Sequence, residues 1–291
     1  MFQSGLGNSK RILAVVLAGT LWAPLCLAGA IVGGFSSTSD GHNDDGTYTL
    51  GGCDNSAPGG TCAGTAVMLG FGVNFFGTTR DSLFINTNGN VTFDSPLSTF
   101  TPFGLDDALR PIIAPYFADV DTRNPLSGVV TFGNGFFGGR TAFGVNWIDV
   151  GYFDSNVDKT NQFQLLLVDR SDTGAGNFDI IFNYDLVQWE SGDGSFGFEG
   201  LGGMSARAGF SNGTGFSGES LELAGSGVPG SFIDGGTNAL ISNRLNSDVD
   251  GRYIFNARNG TIGVVPEVPE PGTISLFLAG LGCVVWRRSR R

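Results

Sequence analysis

The chain has 291 residues, room for one large or two ordinary domains, and 48 of them are glycine beside 25 phenylalanines. A hydrophobic fraction of 41% excludes a disordered or collagen-like chain, and the glycines follow no three-residue period. The net charge of −11 argues against nucleic acid as a partner, and six of the sixteen basic residues (Lys10, Arg11, Arg287, Arg288, Arg290 and Arg291) lie at the two ends.

In chain order, the first element is a basic pair, Lys10-Arg11, followed by the apolar run ILAVVLAGTLW and then LAGA. Charge, apolar run and small residues in that order predict a secretory signal helix over residues 1–30. Cleavage is expected after Ala30, with Ala28 as the second choice. Cys26 leaves with that segment.

Residues 31–66 form a Gly/Asp-rich lead-in with few large apolar side chains. Cys53 and Cys62 flank a Pro-Gly-Gly turn there. In an oxidising compartment they are expected to form one local disulfide. A zinc site is not expected, since His42 is the chain's single histidine and the two thiols lack further ligands.

From about Val67 the texture changes to short Phe/Val/Ile/Tyr runs separated by Gly, Asn, Asp and Ser. That is the signature of many short strands. SLFINTNGNVTF predicts a hairpin, with Asn88-Gly89 supplying the positive backbone angles of a tight turn. FGLDDALRPIIAP allows one short helical turn around Leu105 to Leu109, stopped by Pro111.

Phe163, Leu165 and Leu167 alternate onto one strand face, and Phe178, Ile180, Phe182 and Tyr184 onto another. Leu166, Val168 and Ile181 occupy the opposite faces, which predicts strands buried on both sides. GRYIFNAR reads as a closing strand, so the domain is expected to span 67–259. The fold class expected is all-β, a β-sandwich-like domain with long Gly-rich loops, flanked by the signal helix and a short apolar C-terminal helix.

Residues 260–272 hold three prolines and read as a stiff spacer. The uncharged run 273–286 is 14 residues long, about 21 Å as a helix against a bilayer core of roughly 30 Å. Such a run suits transient membrane insertion better than a lasting anchor. The basic tail 287–291, with Arg287, Arg288, Arg290 and Arg291, would stay on the cytoplasmic side and leave the body outside.

Candidate chemistry in the body is sparse. Asp119 and Asp121 fall on one face of an extended segment, and two hard oxygen donors could contribute to a Ca²⁺ site. The favoured alternative has these acids capping a turn and pairing with Arg123 or Arg110, because Ca²⁺ takes about six to eight oxygens. NSDVDGR at Asn246 to Arg252 lacks the downstream Glu of a calcium loop and reads as a turn. His42 has no nucleophile partner, GFSNG lacks the spacing of a hydrolase elbow, and no Gly cluster opens a helix with a nearby Lys. Neither catalytic nor cofactor-binding residues are expected. Twenty-seven acids nevertheless leave a glycan-processing enzyme with paired carboxylates as the alternative reading.

Two resemblances sharpen this. VPEPG at Val268 to Gly272, a short apolar segment and RRSRR resemble the PEP-CTERM sorting signal of exported bacterial proteins. The resemblance implies that Val268, Pro269, Glu270 and Pro271 form the recognition element for an exosortase-type membrane transpeptidase. It also implies a passage through the inner membrane to the cell surface or matrix of a Gram-negative bacterium, in company with exopolysaccharide and biofilm.

The series IIAPYFADVDTRNPLSGVVTFG, FGVNWIDVGYF, NQFQLLLVDR, FDIIFNYDLVQW and ARAGFSNGTG resembles the nidogen-like extracellular domain. Tyr116-Phe117 stands where that family more often has Trp. The resemblance implies a noncatalytic β-rich module of matrix and adhesion proteins, whose partners would be extracellular polysaccharide or surface proteins.

Overall fold

The structure, a computed structural model, describes Met1, residues 29–46 and residues 64–263. The signal helix, Cys53 and Cys62, the sorting motif and the apolar C-terminal run lie outside the described residues. Among the described residues no helix is long and apolar enough to cross a membrane.

The strands are β1 (Thr38–Ser39), β2 (Val67–Phe75), β3 (Thr78–Asn86), β4 (Asn90–Thr92), β5 (Ile112–Phe117), β6 (Val120–Asp121) and β7 (Val130–Phe137). They continue with β8 (Arg140–Tyr152), β9 (Asn156–Asp169), β10 (Phe178–Val187), β11 (Arg207–Ser211), β12 (Ser220–Glu222), β13 (Arg252–Arg258) and β14 (Thr261–Gly263). One sheet runs β1-β7-β8-β9-β10-β13-β14, with β6 also pairing β8, and the other runs β12-β11-β5-β4-β3-β2. Every pairing between these strands is antiparallel. This is the expected all-β sandwich-like architecture.

Alternation explains the layers. Phe163, Leu165 and Leu167 of β9 and Phe178, Ile180, Phe182 and Tyr184 of β10 enter the main core, where they meet Leu83, Ile85, Val91 and Ile113 from the other sheet. Trp147 of β8 stacks on Phe163 at 5.1 Å, and its ring nitrogen donates to the Thr87 carbonyl at 2.9 Å. A buried indole N–H without such an acceptor would cost about 1–3 kcal/mol.

The outer faces of the same strands are buried as well, by a residue the lead-in supplies. Phe35 joins Ala142, Leu166, Val168 and Ile181 in a second cluster and is almost fully buried. Gly144 makes room for it, since a Cβ there would sit 2.5 Å from the Phe35 ring. Burying a phenyl ring is worth about 2–3 kcal/mol, so the lead-in is bound to the domain by more than its backbone.

Two boundaries differ from expectation in detail. The β3–β4 connection spans Thr87, Asn88 and Gly89, and of the three only Gly89 has a positive φ, at 71°. The hairpin is therefore a three-residue loop with a left-handed last residue, not a two-residue turn. At the C-terminal end, β14 pairs with β13 beyond Asn259, so the sheet extends three residues into the stretch read as spacer. The short helical turn appears as a 3-10 turn at Leu105–Asp107.

Candidate cation-binding site

The β5 strand runs straight into the core and ends at Phe117, and two residues later the chain turns to pair β6 with β8. Asp119 stands at that corner. Its backbone carbonyl accepts from the Phe153 N–H at 3.2 Å, and the next N–H, on Val120, donates to the Asn88 side-chain oxygen at 2.9 Å. The corner is thus held by the tip of the β3–β4 connection.

Gly89 makes that approach possible, because a Cβ on it would lie 1.8 Å from the Tyr116 carbonyl oxygen. Its left-handed φ adds a second reason for glycine.

The lead-in docks on the same corner through a short polar hub. The Asn43 N–H donates to the Thr122 hydroxyl, which donates in turn to the Asn43 carbonyl, both at 2.8 Å. The Asn43 side-chain oxygen accepts from the Thr87 hydroxyl at 2.5 Å and from the Gly46 N–H at 3.0 Å. These contacts fix Asp44 and Asp45 beside Asp119. Carboxylate oxygens of the three lie within 4.8 Å of one another.

Their electrostatic settings are unequal. Asp119 has no exposed surface; its Oδ2 accepts a long hydrogen bond of 3.4 Å from the Ser195 hydroxyl, and its Oδ1 has no donor among the described residues. Asp44 is in ion-pair contact with Arg123 at 3.0 Å through Oδ2, while its buried Oδ1 likewise has no donor. Asp45 accepts from the Asn88 amide at 2.9 Å.

Burial, then the neighbouring charges of Asp45 and Asp44, push the Asp119 carboxyl up to about 8. Burial first and Asp45 second push Asp44 up to about 7. Three acids share this corner, and the Arg123 guanidinium beside them pairs with Asp121 and with Asp44.

Asp121, named with Asp119 as a candidate cation ligand and favoured instead to pair with Arg123 or Arg110, stands apart. Arg123 Nε donates to both of its carboxylate oxygens, at 3.0 and 3.1 Å, and the Ser155 N–H donates to Oδ2 at 2.8 Å. Arg110 pairs with neither acid; it donates to the Ser95 hydroxyl and the Pro96 carbonyl. In the Asn246 to Arg252 stretch, Asn246 adopts a positive φ and Arg244 pairs with Asp250, as suits a turn. His42 is exposed and donates from Nδ1 to the Thr122 carbonyl.

Asp44, Asp45, Asn88 and Ser195 were not legible as site residues in the sequence. The one available signal was the oxygen-rich run His42-Asn43-Asp44-Asp45-Gly46, which reads equally well as a loop.

Two surface clefts carry no paired acids. One, of about 210 Å³, is lined by Leu223, Asn238, Leu240, Arg244 and Tyr253, and the other, of about 450 Å³, has Asp169 as its single carboxylate. Neither offers the two facing carboxylates a glycosidase needs.

Comparison with known proteins finds relatives by sequence. Mouse alpha-tectorin is 33% identical over 224 residues, 67% of this chain and 10% of its own length. Human alpha-tectorin is 32% identical over the same span, and fruit-fly nidogen 29% identical over 162 residues, 47% of this chain and 12% of its own. The chain thus spans about a tenth of the length of these curated relatives. No solved structure matches it. The PEP-CTERM protein-sorting motif matches residues 267–291. With the nidogen-like domain matched at residues 81–136 and 131–259, this chain belongs to the nidogen-like domain family.

Proposed function

We propose that this is an exported, noncatalytic protein of the cell surface or extracellular matrix, with a role in adhesion or in exopolysaccharide and biofilm assembly. The observation that carries the reading is the joining of a nidogen-like domain to a PEP-CTERM sorting motif in one chain. An exosortase-type transpeptidase in the membrane would recognise Val268 to Pro271 and release the body, with Arg287, Arg288, Arg290 and Arg291 holding the intermediate in place. Extracellular polysaccharide or another surface protein is the partner class.

The fold supports a binding role over catalysis. A rigid two-sheet scaffold presents a loop after β10 in which Phe196 and Phe198 are largely exposed, 82% and 75%. Exposed rings on a fixed loop are what a sugar face or an apolar protein patch would engage. Replacing both with Ser should abolish retention on the producing cells while leaving the melting temperature within about 2 °C. Unchanged retention would remove this loop from the reading.

For the export signal, the packing supports cleavage after Ala28 over Ala30. Ala30 is buried; its N–H donates to Asp185 Oδ1 at 2.5 Å and its carbonyl accepts from Arg252 at 2.5 Å. A cut after Ala30 would discard those contacts, whereas a cut after Ala28 keeps them and leaves the new α-ammonium next to Ala30. Mass spectrometry of the exported protein is expected to find Gly29 at its start and the Arg-rich end missing. An intact C-terminus in the mature pool would overturn the sorting reading.

A further inference from the structure

We propose that Asp44, Asp45 and Asp119 bind one Ca²⁺ ion, which fastens the 40–46 segment of the lead-in to the corner between β5 and β6. Acid clusters alone are common on protein surfaces and carry little meaning. Here the argument starts from Asp119, which is fully buried, has an Oδ1 without a hydrogen-bond donor among the described residues, and brings a carboxylate oxygen within 4.8 Å of those of the other two acids. Asp44 likewise has a buried Oδ1 without a donor among the described residues. Native proteins pair nearly all such atoms, because leaving one unpaired costs about 1–3 kcal/mol and more for a charged group.

Side chains do not meet that need among the described residues. Arg123 spends its guanidinium on both oxygens of Asp121 and on the outer oxygen of Asp44. The Ser195 hydroxyl, which reaches Asp119 at 3.4 Å, also lies 3.1 Å from the Thr101 hydroxyl. Protonation would quiet the corner, yet it would waste three acids brought together by two separate segments.

A cation resolves this with chemistry the site already has. The donors are all carboxylate oxygens, the hard ligands that Ca²⁺ prefers, and their spread of at most 4.8 Å matches two Ca–O bonds of about 2.4 Å each. Three carboxylates binding through one or both oxygens, completed by water on the half-exposed side of Asp44 and Asp45, reach the six to eight ligands of the ion. Mg²⁺ fits less well, since it demands bonds near 2.1 Å in octahedral array and sheds water reluctantly.

The scaffold is organised before the ion arrives. Asn88 holds Asp45 with its amide and the Val120 N–H with its oxygen, and the Asn43–Thr122 exchange sets Asp44. Gly192 belongs to the same design, because a Cβ on it would come within 2.5 Å of Asp119 Oδ2.

The test is thermal melting of the exported protein after EDTA treatment, with added CaCl₂ or MgCl₂, together with calorimetric titration. Millimolar Ca²⁺ should raise the melting temperature by about 5 °C, with one ion bound per chain and a smaller response to Mg²⁺. Asp119→Asn and Asp45→Asn should each weaken binding at least tenfold. Asp121→Asn, which lowers stability by freeing Arg123, should keep the full Ca²⁺ shift. No Ca²⁺ response in the wild type, or a response that survives both Asp119→Asn and Asp45→Asn, would overturn the proposal.

Discussion

Two buried acids show how differently this fold handles negative charge. Asp179 of β10 is gripped from both sides, by Arg170 at 2.9 Å from the neighbouring turn and by Arg258 at 2.6 Å from β13. Asp119, more deeply buried, has a serine hydroxyl at 3.4 Å and two other acids for company. The first arrangement is complete within the chain and ties β10 to its neighbour β13. The second is complete only with a positive charge from outside, and that difference separates a structural ion pair from a binding site.

The comparison can be broken most forcefully at Gly89. Alanine there would drive a Cβ into the Tyr116 carbonyl and strain a left-handed residue, so Gly89→Ala should cost at least about 3 kcal/mol. It should also abolish Ca²⁺ binding through the displaced Asn88. Denaturant unfolding with and without Ca²⁺ reads both effects.

Next in size, Arg258→Ala leaves Asp179 with one partner and should cost about 2 kcal/mol. That loss should be the same in EDTA and in Ca²⁺, because the Arg170–Asp179–Arg258 cluster owes nothing to the ion. A Ca²⁺-dependent loss would mean the two regions are coupled.

Asp119→Asn should act in the opposite sense. In EDTA, at a pH above the Asp119 titration near 8, it removes a buried charge from an acidic corner and should stabilise the protein by about 1 kcal/mol, while in Ca²⁺ the wild type becomes the more stable of the two. Such a crossing of the two melting curves would not arise from a residue that merely packs.

The remaining effect is on pH. Asp119 and Asp44 titrate near 8 and 7 in the folded, cation-free chain against an ordinary value of 3.8, with Asp45, Asp121, Asp154, Arg123 and Ser195 as the groups acting on them. The native state therefore holds protons that the unfolded chain has already released, so stability should fall as pH rises from about 4 to 8. EDTA-treated protein melted across that range checks the sign.

Much of the sandwich was legible because alternation is a local code. Phe163, Leu165 and Leu167 announce their face within five residues of sequence, and their burial follows from the strand period alone. Even the burial of the opposite face at Leu166, Val168 and Ile181 could be read, though not its cover, Phe35, which arrives from a segment without strand periodicity.

The site was legible by half for the same reason. Asp119 could be read, with Asp121, as one of two acids on one face of an extended segment, but its partners come from a Gly/Asp-rich stretch whose docking depends on the Asn43, Thr87 and Thr122 side chains. Asp121 shows the limit from the other side: it shares the two-residue spacing with Asp119, yet Arg123, two residues further on, claims it. Spacing places two acids on a face; only tertiary neighbours decide which is neutralised.

The most direct measurement is a crystal structure of the exported protein grown in CaCl₂, with anomalous diffraction recorded beyond routine phasing needs. One anomalous peak is predicted among Asp44, Asp45 and Asp119, within about 2.3–2.6 Å of Asp119 Oδ1. A structure at millimolar Ca²⁺ showing no peak there, or a peak bound instead to Asp121, would contradict the account.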